Sequence, residues 1–375
     1  MKVAIIEQNL VNYTGHYYAF VSELKRGFEE MGDEVEVFLP TNSSAPINGK
    51  TVLPPPNCSQ ANIIKKYFNI IRDIFRFARV LGSVQKNFDV FVFTSADDPR
   101  TIGGASLLLT KKPLVFYLHS PELFFYPIRK SIKLLKASQR LRKKRISLIT
   151  PASLKEDLIQ NFSLKNIRLF PDAPVPLTMP PKQEEFVNCG NFYLGYFGDA
   201  RKEKNFNKVV ALIDAAPTEI GFMVQCNPPS IGYYEPGIKK GVEHIKGLQR
   251  DRLYIFEESL PQNEYREFLN KSSIVWCLYD VLQYKNRVSG ILLEAWALGK
   301  PVITTSGTWM AKQVEKYGGG IVLDTLEIQD ILKAIEEIRG DYARFSAEAE
   351  AAGRILYEKN NGVALARFIK DIVRK

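Results

Sequence analysis

The sequence predicts an α/β protein built from two domains, each a mostly parallel sheet with helices on its faces. Short β-branched and aromatic runs alternate with longer helical patterns, which is typical of βαβ units. The chain has 375 residues, about twice the usual length of one domain, and a proline-rich stretch interrupts the alternation near its middle. Hydrophobic residues make up 45% and charged residues 25%, so the chain can bury a core and is not expected to be disordered.

The first half shows a regular alternation of strand and helix patterns. Its predicted strands cover 3–6, 35–39, 90–93, 114–117, 147–150 and 167–169. The clearest helix covers 17–31, where Phe20, Leu24 and Phe28 recur at helical spacing and Glu23 is expected to face solvent.

The composition then changes in the segment PDAPVPLTMPP, whose prolines permit neither a helix nor a central strand. We interpret it as a linker over 173–190, between an N-terminal domain over 1–172 and a C-terminal domain over 191–357, with a closing helix over 358–375. The second domain's strands are predicted over 193–197, 222–225, 253–256, 274–278, 302–304 and 321–323, and the later helices over 206–214, 263–271, 290–298, 328–338, 342–357 and 363–373.

The formal net charge of +10 favours an anionic partner, which could be phosphate groups, nucleic acid or an anionic lipid surface. The four cysteines form no CxxC pair and the three histidines have no zinc-site spacing, so we expect a reduced compartment and no structural metal. No uncharged apolar run is long enough to span a bilayer, and the start does not resemble a signal peptide. These features predict a cytoplasmic protein.

Two loops of the first domain carry candidate site residues, because open α/β sheets bind ligands beyond the carboxyl ends of their strands. Gly15 and His16 precede the first helix, where a glycine lets backbone approach an anion. His119 and Glu122 follow a buried strand and could bind a sugar hydroxyl or transfer a proton. Each segment has an equally simple structural explanation, a turn glycine and a structural histidine.

The loop after the first strand of the second domain is a candidate diphosphate clamp. The strand runs into Gly198, and Arg201 and Lys204 follow at the entrance of the next helix. Two cations with the free amides of a helix start suit a diphosphate, although a solvated charged turn would also contain them.

The segment 284–303 is the second candidate in this domain. Ser289 and Gly290 are small residues at a helix start, where a phosphate can approach the backbone amides. Glu294 lies within the apolar run ILLEAWALG, and its carboxylate needs a partner because an unpaired buried charge is costly. The two hydroxyls of a ribose would be such a partner.

This segment resembles the nucleotide-sugar signature of the glycogen-synthase-like group of retaining glycosyltransferases, which have the GT-B fold. Glu294 matches the second glutamate of that signature, which binds the nucleotide ribose, while Asn286 stands at the position of the first. Gly198 and Lys204 match the diphosphate-binding segment, in which Asp199 replaces an arginine and Arg201 is expected to substitute for it.

The resemblance implies two Rossmann-like domains facing each other across a cleft, with the C-terminal helix crossing back to the first domain. It implies a hexosyltransferase-like enzyme that takes a nucleotide-sugar as substrate, needs no cofactor or metal, retains configuration and acts on a glycan or lipid-linked acceptor in cell-envelope polysaccharide synthesis. His16, His119 and Asn286 are then the candidate catalytic residues. The candidate donor-binding residues are Gly15, Gly198, Arg201, Lys204, Arg287, Ser289, Gly290 and Glu294.

Residues 123–155 contain no carboxylate and hold much of the positive charge. The aromatic and basic residues of this stretch suit the inner face of an anionic membrane, and the predicted helix over 63–84 adds further bases among aromatics. A solvated helix face would explain the pattern as well. No recognised nucleic-acid-binding module is present, so nucleic acid is not an expected partner.

Two other functions are compatible with the same features. A nucleotide-sugar epimerase would share the architecture but would lack an acceptor site. A non-catalytic sugar- or phosphate-binding protein would be consistent with Asn286 and Asp199, which depart from the signature.

Overall fold

A computed structural model of the chain describes residues 1–12, 16–56, 63–96, 98–118, 133, 145–151, 167–170, 192–229, 232–285 and 287–374. It divides into two compact units, Met1–Thr178 with Glu358–Lys375, and Met179–Tyr357. Each unit contains one parallel sheet, as the alternating pattern predicts.

The described part of the first unit holds a seven-stranded sheet in the order β3-β2-β1-β4-β5-β6-β7. Its strands are β1 Lys2–Ile6, β2 Glu34–Pro40, β3 Lys50–Leu53, β4 Val90–Phe93, β5 Leu114–Tyr117, β6 Ile146–Pro151 and β7 Ile167–Phe170. The helices described between them are α1 His16–Glu30, α2 Ile63–Val84 and α3 Pro99–Leu107.

The described part of the second unit holds a six-stranded sheet in the order β10-β9-β8-β11-β12-β13. Its strands are β8 Phe192–Tyr196, β9 Ile220–Gln225, β10 Leu253–Phe256, β11 Ile274–Cys277, β12 Val302–Thr305 and β13 Gly320–Leu323. The helices from here to the end are α4 Phe206–Ala215, α5 Ile238–Gly247, α6 Gln262–Lys271, α7 Val281–Tyr284, α8 Gly290–Ala297, α9 Trp309–Tyr317, α10 Ile328–Gly340, α11 Tyr342–Asn360 and α12 Gly362–Arg374.

The central strands of the first sheet are covered on both faces, which explains why β1, β4 and β5 are almost entirely apolar. Successive strand residues point to opposite faces. On one face Phe93 stacks on Phe116 with ring centroids 4.6 Å apart, and Phe77 of α2 joins the same cluster. On the other face the strands pack against α1 and α12. None of the described helices is long and apolar enough to cross a membrane.

The C-terminal helix α12 packs against α1 of the first unit, as the GT-B resemblance implies. A Cβ atom on Gly362 would lie 1.9 Å from the Glu23 carbonyl oxygen, so the two helices touch through their backbones. Lys370 also forms an ion pair with Asp33, with 2.6 Å between Nζ and Oδ2. The prediction that Glu23 faces solvent is therefore wrong: its side chain is buried beside α12 and paired with Arg26 at 2.6 Å.

Several elements were not predicted from the sequence, namely β3, α3, α5, α7 and α9. Strand β3 has only four residues, of which three are exposed, and thus shows no apolar run. Helix α3 contains two adjacent glycines, which lower its intrinsic helix propensity. Its buried residues pack against the sheet, and this tertiary packing outweighs the weak local preference.

Candidate functional site

The strand order of the second sheet identifies where a ligand would bind. Strand β8 lies between β9, which follows it in the chain, and β11, which comes much later. Such a reversal of strand order opens a crevice at the carboxyl ends of the two central strands, here β8 and β11. The segments 197–205 and 278–289, which contain most of the predicted donor-binding residues, follow these two strands.

Gly198 is the first residue of the turn in the segment after β8. Its backbone has a φ of 93°, which is unfavourable for any residue with a Cβ atom, and its amide donates to Gln225 Oε1 at 2.9 Å. A Cβ atom here would lie only 2.6 Å from Lys204 Nζ. The glycine therefore permits both the turn and the position of the lysine ammonium group.

Arg201 and Lys204, the two predicted clamp residues, converge on one carboxylate, that of Asp199. Arg201 Nε donates to Asp199 Oδ2 at 2.7 Å, and Lys204 Nζ donates to Asp199 Oδ1 at 3.0 Å. Asp199 stands where the resemblance places an arginine. It lies between the two cations as their internal counter-ion.

A second carboxylate joins the two loops of the crevice. Glu203 Oε1 lies 3.3 Å from Arg201 Nη1 and 3.0 Å from Arg287 Nη1. The Arg287 guanidinium also lies over the Tyr284 ring, 5.1 Å from its centroid. The residues Asp199, Arg201, Glu203, Lys204 and Arg287 thus form one cluster, which we call the cation cluster, with three positive and two negative side chains.

Burial and charge act against each other within the cation cluster. Burial lowers the pKa of Lys204, and Asp199 opposes that shift by favouring the ammonium form. Burial alone would raise the pKa of Asp199, but Lys204 and Arg201 outweigh it and hold the pKa below its ordinary value. An anionic ligand that replaced Asp199 as partner would stabilise the same charged state of Lys204.

Two side chains donate hydrogen bonds to backbone carbonyl oxygens and so join the segment after β8 to the neighbouring strand β11. Trp276 Nε1 of β11 donates to the Lys204 carbonyl oxygen at 3.1 Å. Asn205, which adopts a left-handed conformation with φ 53°, donates from Nδ2 to the Leu278 carbonyl oxygen at 2.8 Å. The segment that carries the two cations is therefore attached to β11 and to the residue that follows it.

Helix α8 begins beside this cluster and presents Glu294. Ser289 caps the helix by accepting from the Leu292 amide at 3.4 Å, and nothing lies within 4 Å of the position where Gly290 would carry a Cβ atom. Glu294 itself is exposed to solvent. The surrounding protein nevertheless desolvates the carboxyl group, which raises the pKa of Glu294, while a short hydrogen bond from the Tyr265 hydroxyl opposes the shift.

Tyr265 and Glu203 are site residues that the sequence did not reveal. Tyr265 lies on α6, and its ring contacts that of Phe197, with centroids 5.6 Å apart, so it connects the end of β8 with Glu294. The sequence did indicate that Glu294 needs a hydrogen-bond partner, since a carboxylate in an apolar run is costly without one, but it did not indicate which residue this partner is. The structure supplies a phenol as this partner.

A buried carboxyl group was also missed, at the corresponding reversal of strand order in the first sheet, between β1 and β4. Glu7 follows β1 and is fully buried, and its Oε2 accepts from Thr94 at 2.8 Å and from Ser95 at 2.5 Å. The Asn9 amide donates to Oε1 at 2.8 Å. Burial raises the pKa of Glu7 to about 7, against the effect of these bonds.

Several predicted residues lie outside the described part of the chain. These are Gly15, His119, Asn286, the linker over 173–190 and almost all of the basic stretch over 123–155. His16 is described only as the first backbone position of α1. Their roles remain predictions.

Among the described residues, no group of three or more His, Cys, Asp and Glu side chains could hold a metal ion. Cys226 and Cys277 are buried free thiols. Metal independence itself remains a prediction.

Comparison with solved structures identifies the fold. The chain matches sucrose-phosphate synthase from Thermosynechococcus elongatus with a TM-score of 0.68 and 13% identity, over 100% of this chain and 98% of that one. It matches Anabaena HepE in complex with UDP-glucose with a TM-score of 0.65 and 13% identity, over 100% and 99% of the two chains. The chain has the GT-B fold.

A third GT-B structure, that of WaaG, a glycosyltransferase involved in lipopolysaccharide biosynthesis, matches with a TM-score of 0.59 and 15% identity, over 99% of both chains. No protein-family model matches the chain, and no curated protein matches it by sequence. At these identities the comparison establishes the GT-B fold, and the function must be argued from the site.

Proposed function

We propose that this chain is a glycosyltransferase that moves a sugar from a nucleotide-sugar donor to an acceptor hydroxyl. The observation that carries the proposal is the convergence of Arg201, Lys204 and Arg287 at the strand-order reversal of the second sheet. Three cations at such a crevice suit a diphosphate. The HepE complex, a structure of the same fold, contains UDP-glucose, so UDP is the first nucleotide to test as a ligand.

The donor's two ends would be held by different parts of the crevice. The diphosphate would contact Arg201 and Lys204 in place of Asp199, with the Gly290 end of α8 offering backbone amides. The Glu294 carboxylate would accept hydrogen bonds from the two ribose hydroxyls, and Tyr265 would keep it oriented.

The chemistry follows from this placement. The bond between the anomeric carbon and the β-phosphate oxygen breaks, and the acceptor oxygen bonds to that carbon, while the acceptor proton leaves with the diphosphate. The cation cluster would stabilise the negative charge that develops on the leaving group, so that no metal is needed. The resemblance favours retention of configuration, a hexose as the transferred sugar, and His16, His119 and Asn286 around the reacting sugar.

A donor panel tests the proposal. Purified protein is incubated with each of several nucleotide-sugars, and free nucleotide and altered sugar are measured by chromatography. We expect slow release of nucleoside diphosphate from one donor, and acceleration when a glycan or lipid-linked acceptor is added. An isomerised sugar would identify an epimerase instead, and donor binding without turnover would identify a binding protein.

The matched variants are Glu294→Ala and Glu315→Ala, which remove an exposed glutamate from α8 and from α9 respectively. Only the first should abolish nucleotide release. If both variants retain the wild-type rate, donor binding does not involve Glu294. The cytoplasmic location and the membrane contact through residues 123–155 remain predictions beside this proposal.

A further inference from the structure

Helix α2 carries apolar side chains on the side that faces solvent. Phe68 is 67% exposed, Ile71 54% and Phe75 62%. The opposite side of the same helix is buried, with Phe77 and Leu81 in the core of the first unit. Packing among the described residues of the unit therefore explains one side of α2 and not the other.

Basic side chains accompany these apolar ones on the solvent side. Arg72, Arg76 and Arg79 follow Phe68 in steps of four, four and three residues, which places them in a row along the same side of the helix. Together Phe68, Ile71, Arg72, Phe75, Arg76 and Arg79 line an open depression of about 380 Å³. We call these six residues the α2 face.

The charge of the α2 face is positive, because the only carboxylate of the helix does not lie on it. That carboxylate, Asp73, is buried and accepts from Arg72 Nε at 3.1 Å, with Arg76 Nη1 at 3.9 Å. Arg79 forms no ion pair with any other described residue. Among the described residues, the α2 face thus offers arginines and large apolar groups with no carboxylate at its surface.

We propose that the α2 face docks on an anionic lipid surface, independently of the donor site. A helix that lies in a membrane interface combines apolar side chains, which insert below the headgroups, with basic side chains that meet lipid phosphates. A protein interface of this size would be expected to pair some arginines with carboxylates of the partner, whereas a lipid surface of uniform negative charge fits all of them. The lipid surface is therefore the occupant that the charge pattern favours.

Vesicle cosedimentation of the full chain tests this proposal. Vesicles of phosphatidylcholine mixed with phosphatidylglycerol are compared with vesicles of phosphatidylcholine alone, at low and high salt. We expect binding only to the anionic vesicles, and weaker binding at high salt because the arginine contribution is screened.

Two double variants separate the apolar from the basic contribution. Phe68→Ser with Phe75→Ser should weaken binding at least about tenfold, since two exposed rings no longer insert. Arg76→Ala with Arg79→Ala should weaken it about twenty-fivefold at low salt, from about fivefold per basic residue. Arg72 is kept in both because it forms the closer of the two ion pairs with buried Asp73, at 3.1 Å against 3.9 Å for Arg76. The control is Leu109→Ser with Lys111→Ala, two exposed residues elsewhere in the first unit, which should bind like the wild type.

Any of three results would overturn the proposal. The wild-type protein could stay in solution with anionic vesicles, or both double variants could bind the vesicles as well as the wild type does. The third result is a wild-type dimer that the phenylalanine variant converts to a monomer, which would make the α2 face a contact between copies. Nucleotide affinity should be the same in all variants, so a failure here is separate from a failure of the donor-site proposal.

Discussion

The internal counter-ion of the cation cluster leads to a specific prediction about donor affinity. Asp199 binds the same two cations that a diphosphate would bind, so the ligand must compete with it. The variant Asp199→Asn keeps an oxygen acceptor of the same shape but removes the negative charge. We expect this variant to bind UDP more tightly than the wild type does.

The size of the effect follows from the geometry. With a cation about 3 Å from each partner, Asp199 and the diphosphate would be about 6 Å apart. A unit negative charge and a doubly negative diphosphate at about 6 Å repel each other by about 1.4 kcal/mol in water, which corresponds to about tenfold in affinity. The side chain of Asp199 is only 17% exposed, so the dielectric is lower than that of water and the repulsion is stronger than this figure. The easier loss of the Lys204 proton without Asp199 acts in the opposite direction, so about tenfold is the expected size of the effect.

Isothermal titration of UDP into wild type and Asp199→Asn measures this difference. Asp341→Asn is the matched control, because Asp341 also pairs with an arginine but lies on the exposed start of α11. The unliganded Asp199→Asn protein should also melt at a lower temperature than the wild type, since Lys204 loses its partner, and saturating UDP should reduce that difference. Equal or weaker UDP binding by Asp199→Asn would refute the competition argument.

Three further predictions concern other parts of the chain. Glu294→Gln should weaken UDP binding by about tenfold to a hundredfold, because a charge-assisted contact with the ribose is lost, while its affinity for 2′,3′-dideoxy-UDP should equal that of the wild type. Titration of both ligands checks this, and a variant that prefers UDP over the dideoxy ligand as strongly as the wild type does would contradict it. The pKa of Glu7 is about 7 in the folded state, against an ordinary value of 4.5, so the folded state keeps its proton to higher pH than the unfolded state does. The free energy of unfolding should therefore fall by about 3 kcal/mol as pH rises from about 4.5 to about 7. Urea unfolding below and above the window should show this slope in the wild type and lose it in Glu7→Gln; a slope that persists would disprove the assignment. Gly362→Ala should destabilise the first unit by about 1–3 kcal/mol, since its Cβ atom would overlap the Glu23 carbonyl oxygen. Gly82→Ala, whose Cβ atom would have no atom within 4 Å, should not destabilise the unit. Thermal melting compares the two variants, and equal melting temperatures would count against the α1–α12 contact.

The fold could be predicted from the sequence because most of its strands are short apolar runs, and the central strands of both sheets are buried on both faces. The strands over 90–93, 114–117 and 253–256 have the predicted bounds. Helix α2 also begins and ends where its pattern indicates, at 63 and 84. Where the sequence failed, as for α3 and for the exposure of Glu23, the deciding interaction was with an element distant in the chain.

The candidate site was predictable in its segments and not in its pairings. Glycine, cations and a helix start after β8 can be recognised locally. The ion pair between Glu203 and Arg287 joins residues 84 positions apart, and Tyr265 lies 29 positions before Glu294. Such partners depend on which strands become neighbours, and local spacing carries no information about that.

A crystal structure of the chain with a bound nucleoside diphosphate tests the central proposal most directly. The proposal predicts the two phosphates on Arg201 and Lys204, with Asp199 displaced from at least one of them, and the ribose hydroxyls on Glu294. A nucleotide bound away from the carboxyl ends of β8 and β11, with the pairs to Asp199 intact, would contradict it.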